Sequence, residues 1–437
     1  MAGIFDALRA EIAAVEPSCR VGRIAELERG TLRVTGLSRG TGLGDRVLIR
    51  GQGAAMGGEV LRIARDGLTV LPDGAAEGLA IGDAVDLVGR GEIAPDDGWI
   101  GRIVDPFGKP LDGRPLFRGP HIRPLRAAAP AAATRRRLGE RLRTGVAVFD
   151  TLLPLVRGQR IGLFAGSGVG KSSLLAKFAR GVAADVVVIA LVGERGRELR
   201  EFTESILGPA GMARSVVVAA TSDQSPLIRR RCAWTAMAVA EHFRDQGLHV
   251  LLLADSITRF AEAHREVALA AGEAGNLRGF PPSTAHTIMA LAERAGPGPE
   301  GAGDITAVFS VLVAGSDMEE PVADILRGVL DGHVVMDRRI AERGRFPAID
   351  LLRSVSRSLP AAASPDENAL IAEARRLLGA YDRAEMMIQA GLYAKGSDPA
   401  VDAAIRVWPM LDGFLTEDAP DGIEGSFRRL AACLAPG

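Results

Sequence analysis

The sequence predicts an α/β protein built from a small N-terminal β-barrel, a mostly parallel central sheet covered by helices, and a helical C-terminal domain. Short β-like segments broken by glycine run from about residue 20 to residue 88. From residue 158 the pattern alternates strand and helix, and after Pro360 it becomes helical. Many short strands at this spacing favour a barrel, whereas strand–helix alternation favours a parallel sheet with helices on both faces.

The predicted elements follow in chain order. Apolar residues at helical spacing predict an amphipathic helix over residues 4 to 15. Barrel strands are predicted at 21–25, 31–34, 46–49, 59–63, 68–71 and 84–87. In the central part, strands are predicted at 160–165, 186–191, 215–220, 249–254 and 305–313, and helices at 171–180, 197–206 and 227–244. C-terminal helices are predicted at 367–381, 383–390, 398–411 and 423–434.

These elements suggest four units along the chain. An N-terminal helix occupies 1–18, the barrel 19–92, a nucleotide-binding domain 93–358 and the helical domain 359–437. The stretch that joins the barrel to the central sheet carries three consecutive arginines, 135–137. An anion site is one interpretation of this run, and a solvated face is the favoured one.

Composition limits the classes of function. The 437-residue chain has a formal net charge of −1, which offers no overall attraction to nucleic acid or to an anionic membrane. Cys19, Cys232 and Cys433 are scattered and match neither a disulfide framework nor a metal-ligand spacing, so a reducing cytosol is expected. The N-terminus lacks the pattern of a signal peptide, and no apolar run approaches the ~20 residues that cross a bilayer. We expect a soluble chain whose membrane contact comes only through partners.

The strongest motif is a glycine-rich loop between a predicted strand and a predicted helix. Residues 160 to 172 read RIGLFAGSGVGKS. Successive backbone N–H groups and the positive end of the following helix would cradle a polyphosphate there. The predicted nucleotide-binding residues are Gly166, Ser167, Gly168, Val169, Gly170, Lys171, Ser172 and Ser173.

Two side chains of this loop have predicted individual roles. Lys171 would reach the β and γ phosphates of the nucleotide, and the Ser172 hydroxyl would ligate Mg²⁺. Ala165 stands where the usual G-x-x-x-x-G-K-[ST] pattern has its first glycine. Only four of the 53 basic residues are lysines, which argues against a chance basic residue at position 171.

Three further residues are candidates for the chemistry. Asp255 closes an apolar strand and could hold Mg²⁺, although an aspartate there could also cap the next helix. Glu194 follows another strand and could position the attacking water, or it could belong to a charged first helical turn. Arg357 could stabilise a γ-phosphate from a neighbouring subunit, but one arginine among so many is more often a surface ion-pair partner.

Five sequence blocks together resemble the rotary ATP synthase α/β family. They are AGSGVGKS (165–172), GERGRE (193–198), LLLADSITRF (251–260), RGFPPS (278–283) and PAIDLLRSVSR (347–357), and the match runs in order from about residue 20 to residue 410. The resemblance implies an N-terminal β-barrel, a RecA-like P-loop core and a C-terminal helical domain, assembled as a ring of six with nucleotides at the subunit interfaces. It implies Lys171 on the phosphates, Ser172 and Asp255 at Mg²⁺, Glu194 as the water-activating carboxylate, and Arg357 as the interface arginine finger.

Within this family the chain is most similar to the type III secretion ATPases. Residues 316–333 and 391–399 carry that similarity, and Ala165 matches the same branch. Tyr393 could lie near the adenine, or it could pack within the helical domain. Residues 101–113 and 331–342 are more similar to the flagellar export group than to the injectisome group, a difference of degree.

The resemblance also implies partners. These are a peripheral stator-like regulator at the N-terminal helix, a central stalk protein, the export gate, chaperones and exported flagellar subunits. The expected location is cytoplasmic and peripheral at the inner-membrane export apparatus, and the expected substrate and cofactor are ATP and Mg²⁺. The N-terminal helix could equally pack on its own barrel.

Alternative functions remain open at this stage. A non-catalytic ring subunit would not carry Glu at position 194. An RNA translocase similar to the transcription termination factor would need aromatic platforms, and this chain has three Trp and two Tyr, with almost no aromatic residue before Trp99. The remaining alternatives are a virulence injectisome ATPase and the catalytic subunit of a rotary ATP synthase.

Overall fold

The computed structural model describes residues 9, 11, 12, 18–28, 30–313 and 318–435. Within these ranges six strands close into an N-terminal barrel in the order β1-β2-β5-β4-β3-β6. They are β1 (Val21–Glu28), β2 (Thr31–Thr35), β3 (Arg46–Arg50), β4 (Met56–Ala64), β5 (Gly67–Pro72) and β6 (Ala84–Gly89). Alternate side chains of the strands fill the barrel, including Leu32, Val34, Val47 and Ile49. The predicted barrel is confirmed.

The predicted N-terminal helix lies outside the described residues, except at positions 9, 11 and 12, which are helical. Ile12 is 69% exposed. The amphipathic face of this helix and the partner expected there stay predictions.

A large mixed sheet forms the centre of the molecule. In the described part of the chain its strand order is β17-β16-β10-β15-β13-β11-β12-β8, with β14 paired to β15. Pairing is parallel from β16 to β8, and β17 is an antiparallel edge strand. The strands are β8 (Arg102–Val104), β10 (Arg160–Ala165), β11 (Val186–Glu194), β12 (Ser215–Thr221), β13 (His249–Asp255), β14 (Gly296–Pro297), β15 (Asp304–Leu312), β16 (Gly332–Met336) and β17 (Ile349–Ser356), while β7 (Glu92–Ile93) and β9 (Arg123–Pro124) pair separately.

Helices cover both faces of this sheet, as the alternating pattern predicts. The helices are α1 (Ala147–Asp150), α2 (Lys171–Gly181), α3 (Gly196–Glu201), α4 (Gly208–Met212), α5 (Pro226–Asp245), α6 (Ile257–Ala270), α7 (Ser283–Arg294), α8 (Pro321–Val329), α9 (Arg338–Glu342), α10 (Pro365–Gln389), α11 (Pro399–Phe414) and α12 (Gly422–Leu434). In β11, Val188 packs in one core with α5, α6 and α7, whereas Val187 packs in the other with α2, α10 and α12. Both faces of the sheet are therefore buried, which explains why the sequences of its strands are continuous apolar runs.

The C-terminal part differs from its prediction in one respect. The predicted helices at 367–381 and 383–390 form one 25-residue helix, α10. Neither Gly nor Pro separates them, and exposed Asp382 is followed by buried Ala384, so the helical pattern continues. A capping box at Ser364 and Glu367 begins the helix. Among the described helices, none combines the length and the apolar character that crossing a bilayer requires.

The arginine run also differs from its prediction. Arg135, only 16% exposed in its side chain, donates to the backbone carbonyl groups of Glu293 and Ala295. Arg136 donates to the carboxylate of Asp304 at 2.7 Å. The expected solvated face is wrong for Arg135, which is mostly buried, whereas Arg136 remains exposed while it pairs with Asp304. Both side chains attach the connecting stretch to the end of the sheet opposite the glycine-rich loop.

Arg294 and Glu241 form a buried ion pair between α7 and α5. Their side chains are 3% and 6% exposed, and two hydrogen bonds of 2.8 Å and 2.6 Å join them. We expect Arg294→Met to lower the free energy of unfolding by about 3 kcal/mol, because Glu241 is left as an unpaired buried charge. Urea denaturation measures this change.

The matched control is Arg200→Met. Arg200 and Glu204 form an exposed pair with side chains 78% and 62% accessible, so the loss should stay below about 1 kcal/mol. Equal effects of the two substitutions would contradict the assigned difference in burial.

Candidate functional site

Four adjacent strands of the central sheet end at the same edge. β10 ends at Ala165, β13 at Asp255 and β11 at Glu194, and β15 lies between β10 and β13. The register pairs Ala165 with Leu312 and Leu191 with Asp255. The glycine-rich loop and the two predicted carboxylates therefore meet at the carboxyl edge, where ligands of such sheets bind.

The loop between β10 and α2 has the backbone of an anion cradle. Gly168 and Gly170 have φ values of 78° and 87°, a conformation that glycine adopts without strain. Among the described residues, no side chain caps the N-terminus of α2. The N–H groups of the first turn are therefore available to an anion, and the helix dipole favours negative charge there.

Lys171 and Asp255 form an ion pair across this edge. Their side chains are only 11% and 5% exposed. Ser310, on the intervening strand β15, donates a 2.6 Å hydrogen bond to the Oδ1 atom of Asp255, the same oxygen that Lys171 contacts. The two predicted residues are thus neighbours, and their opposite charges offset each other.

Glu194 faces a cavity of about 200 Å³ beside this pair. Burial, together with the negative charge of Asp255, raises the pKa of Glu194 to about 7, and Lys171 opposes the change. The cavity is lined by Ser172, Leu191, Glu194, Glu198, Leu199, Glu201, Phe202, Ile206 and Asp255. Three predicted residues, Ser172, Glu194 and Asp255, therefore face one space, and Glu198 joins them there although the sequence assigned it no role.

The donor set of this cavity suits a hard cation such as Mg²⁺. Ser172 offers a hydroxyl oxygen and Asp255 a carboxylate, and Mg²⁺ prefers oxygen ligands. Within the described ranges, no group of three or more His, Cys, Asp or Glu side chains could hold a metal ion by itself. A metal here would draw its other ligands from phosphate and water, as Mg²⁺ does in nucleotide sites.

A second cavity, of about 330 Å³, lies on the other side of the loop. It is lined by Gly168, Gly170, Ser173, Leu174, Lys177, Phe346 and Pro347. The Phe346 ring lies so close to the loop that a Cβ atom added at Gly170 would be 3.1 Å from its Cδ1. Phe346 is 48% exposed, so it presents an aromatic face to the cavity. No role was predicted for Phe346 from the sequence, although aromatic residues make up only 4% of the chain and each is therefore a candidate for stacking on a base.

Arg357 lies at the opposite edge of the sheet from the loop. It follows β17, whose Ser356 pairs with Gly332 at the start of β16, whereas Met336 at the end of β16 pairs with Ala165. The length of β10 separates the two edges by roughly 16 Å. The Arg357 side chain is exposed, and its Nη2 atom donates a 3.3 Å hydrogen bond to the carbonyl oxygen of Arg327.

Tyr393 lies in the turn between α10 and α11. Its hydroxyl oxygen lies 3.0 Å from the carbonyl oxygen of Asp398 and 3.1 Å from the carboxylate of Asp402, and its one proton is shared between these two acceptors. The side chain does not line either described cavity beside the loop. Its contact with adenine stays a prediction, and the contacts seen here stabilise the start of α11.

Comparison with known proteins agrees with this arrangement. Residues 145–356 match the nucleotide-binding domain of the ATP synthase alpha/beta family. Residues 363–431 match the C-terminal domain of the T3SS EscN ATPase. The flagellum-specific ATP synthase of Caulobacter vibrioides is 44% identical over 98% of this chain and 99% of its own length.

Two solved structures have the same fold along almost the whole chain. One is the assembled ATPase EscN from the type III secretion system of enteropathogenic E. coli, which is 36% identical, with a TM-score of 0.86, and covers 95% of this chain and 100% of EscN. The other is EscN in complex with its central stalk EscO, with 36% identity, a TM-score of 0.85 and the same coverage. These comparisons confirm the predicted RecA-like P-loop core between a barrel and a helical domain. The chain belongs to the ATP synthase alpha/beta family, in the branch of the flagellum-specific and type III secretion ATPases, and it is a P-loop ATPase.

Proposed function

We propose that this chain is a Mg²⁺-dependent ATPase that works as a homohexamer and energises flagellar type III protein export. The observation that carries the catalytic part is the convergence of Lys171, Asp255, Ser172 and Glu194 at one edge of the sheet. Identity of 44% over nearly the full length of a flagellum-specific ATP synthase supports the flagellar assignment.

In this proposal the loop and the carboxylates divide the work of binding. The backbone N–H groups of the loop and the Lys171 ammonium bind the β and γ phosphates of ATP. Ser172 and Asp255 would hold Mg²⁺, and the bound ion would neutralise negative charge that develops on the phosphate oxygens. When ATP binds, the Lys171 ammonium must leave the Asp255 carboxylate and pair with a phosphate group. Asp255 then pairs with Mg²⁺, so neither side chain is left as an unpaired charge.

Glu194 is the proposed general base. Water attacks the γ phosphorus, the bond between this phosphorus and the β–γ bridging oxygen breaks, and the water proton passes to the Glu194 carboxylate. The products are ADP and inorganic phosphate. A pKa of about 7 suits this role, because a base works best when its pKa lies near the working pH.

Arg357 is proposed to act on the nucleotide of a neighbouring subunit. In its own chain it lies at the edge of the sheet opposite the loop. A guanidinium brought to the γ-phosphate by the next subunit stabilises the transition state, an effect typically worth 10³ to 10⁵ in rate. The catalytic site is therefore complete only in an assembly.

Further partners belong to the same proposal. EscN, which has this fold, has been solved with its central stalk EscO, and we propose an equivalent stalk for this chain. A peripheral stator-like regulator would bind the N-terminal helix, and the export gate, chaperones and exported flagellar subunits would meet the assembled ring. The proposed location is cytoplasmic, peripheral to the inner membrane, with no nucleic-acid partner.

The injectisome is the second candidate function. Type III secretion ATPases are 36% identical (EscN) and 41% identical (Xanthomonas euvesicatoria) to this chain, and the flagellar relative is 44% identical, so sequence identity favours the flagellar group by a small margin. Deletion of the gene separates the two proposals, since loss of motility and of hook and flagellin secretion supports flagellar export. Normal flagella in the deletion strain would contradict it.

We expect Glu194→Gln to lower kcat by about 10² to 10⁴, because the amide cannot accept the proton of the attacking water. Nucleotide affinity should remain, since the loop and Lys171 are intact. A coupled phosphate-release assay and binding of a fluorescent ATP analogue measure the two quantities. Full turnover in this variant would place the base elsewhere.

The same substitution has a second, pH-dependent effect on stability. Because the pKa of Glu194 is raised from 4.5 to about 7 in the folded state, the unfolded chain releases this proton near pH 4.5 and the folded chain only near pH 7, so stability falls as the pH rises between these values. Glu194→Gln should therefore stabilise the nucleotide-free protein at pH 8 by about 1 to 2 kcal/mol, after a discount for solvent contact, and by much less at pH 5. Thermal unfolding at the two pH values tests this sign.

We expect Arg357→Ala to abolish the activity that rises with protein concentration, while nucleotide binding stays intact. The reason is that the guanidinium serves the site of a neighbour and not its own. ATPase assays over a range of protein concentrations, together with equilibrium binding, measure both. Normal activity in this variant would show that another residue supplies the cation.

We infer that the adenine of ATP stacks on Phe346 in the cavity of about 330 Å³ beside the loop. Phe346→Ala should then weaken ATP binding by roughly tenfold, because stacking of a base on an aromatic ring contributes about 1 to 3 kcal/mol. The value of kcat should change little, since contact with the base is the same in the ground and transition states. Phe117 is 50% exposed but lies outside the cavity, so Phe117→Ala is the matched control. Unchanged KM and Kd for Phe346→Ala would exclude this base pocket.

A further inference from the structure

Gln159 is a fully buried polar residue immediately before β10, and its side chain forms hydrogen bonds to three residues, Val156, Asp331 and Ser356. Its Oε1 atom accepts a 2.9 Å hydrogen bond from the N–H group of Val156. Its Nε2 atom donates to the carbonyl oxygen of Asp331 and to the Oγ atom of Ser356, both at 3.1 Å. Both hydrogens of the Gln159 amide group therefore form hydrogen bonds. A buried amide with all its hydrogens bonded fixes the relative position of the groups that it contacts.

Both acceptors of the Gln159 amide are connected to Arg357. The carbonyl oxygen of Asp331 also accepts the backbone N–H of Arg357, at 3.0 Å. Ser356 precedes Arg357 in the chain, and its hydroxyl donates to the carbonyl oxygen of Pro154 at 2.7 Å. Gln159 therefore bonds to two groups next to the Arg357 backbone, the carbonyl oxygen that accepts the Arg357 N–H and the hydroxyl of the preceding residue.

The backbones of β16 and β17, which carry this hydrogen-bond network, are closely packed at Gly332. A Cβ atom at Gly332 would lie 2.6 Å from the carbonyl oxygen of Val355, so only glycine permits the close approach of β16 and β17 there. Arg357 follows directly where β17 ends. Because its side chain is exposed and makes a long 3.3 Å bond, the position of the guanidinium depends on the backbone that bears it.

We propose that Gln159 is a positioning residue for Arg357, setting the backbone from which the guanidinium reaches the nucleotide of the neighbouring subunit. This inference rests on the proposed role of Arg357. β10 connects Gln159 at its start to the phosphate loop at its end. Gln159 therefore lies between the nucleotide site of its own subunit and Arg357, which acts on the nucleotide of the next subunit. A misplacement of about 1 Å in a catalytic group can cost 10²-fold in rate.

The test uses rings that contain two kinds of variant subunit. If a substitution impairs only the arginine that acts on the neighbouring site, a neighbour with an intact arginine should restore hydrolysis in the variant subunit. Gln159→Met keeps the approximate volume and removes the amide. We expect it to lower kcat by roughly 10- to 100-fold with little change in KM or in ATP binding. Single-turnover hydrolysis in rings mixed with excess Lys171→Ala subunits should then recover, since those subunits bind no productive nucleotide but supply an intact arginine.

Two further mixtures separate the inference from the proposed function. Arg357→Ala mixed with Lys171→Ala should also recover, and mixtures with the double variant Lys171→Ala/Arg357→Ala should not. If Arg357→Ala is not rescued, the trans-acting arginine itself is wrong. If Arg357→Ala is rescued and Gln159→Met is not, Gln159 acts on its own site and the inference is overturned.

A matched control distinguishes positioning from a general loss of stability. Thr235 is also fully buried, and its hydroxyl donates a 2.7 Å hydrogen bond to the carbonyl oxygen of Pro106, far from Arg357. Thr235→Val should keep kcat and show no response to mixing. Ser356→Ala, a milder change in the network, should reproduce the rescue pattern of Gln159→Met even if the latter assembles poorly, and its failure to do so would contradict the proposal.

Discussion

The parallel register of β10, β15, β13 and β11 is the constraint on which the rest of the site depends. Lys171 begins the helix after β10, and Asp255 ends β13, so the two charges meet only because these strands end together with β15 between them. A shift of one residue in β13 would turn the Asp255 side chain to the other face of the sheet. The dry packing on both faces fixes this register, since each face is filled by its own set of strand residues.

The buried ion pair at this edge is suited to exchange. Removing two charges from water offsets much of their mutual attraction, so the Lys171–Asp255 pair contributes little net stability to the fold. A phosphate for Lys171 and a cation for Asp255 can replace it without leaving either charge unpaired. The pKa of Glu194 depends on the same pair, because the Asp255 charge raises it and Lys171 lowers it.

Much of this arrangement could be predicted from the sequence, because it depends on patterns of residues that are close together in the chain. The barrel strands, the phosphate loop and the carboxylates that end β11 and β13 are each signalled by a few consecutive residues. Phe346 could not be placed, since its contact with Gly170 joins segments that are distant in the chain. β16 was missed because it is a short strand of five residues, and β17 was missed because it is a partly exposed edge strand. The division of α10 was wrong because Asp382 interrupts the apolar pattern but not the helix. Sequence alone also gave no reason to single out Gln159.

The position of Arg357 has a consequence for the life of the chain before assembly. Its guanidinium lies a full strand length from its own phosphate loop, so an isolated subunit holds nucleotide beside a carboxylate and a lysine but without the cation that the proposed reaction needs. Under the proposed role of Arg357, an unassembled chain binds ATP but hydrolyses it slowly. Closure of the ring would then start rapid hydrolysis, so that unassembled subunits would waste little ATP.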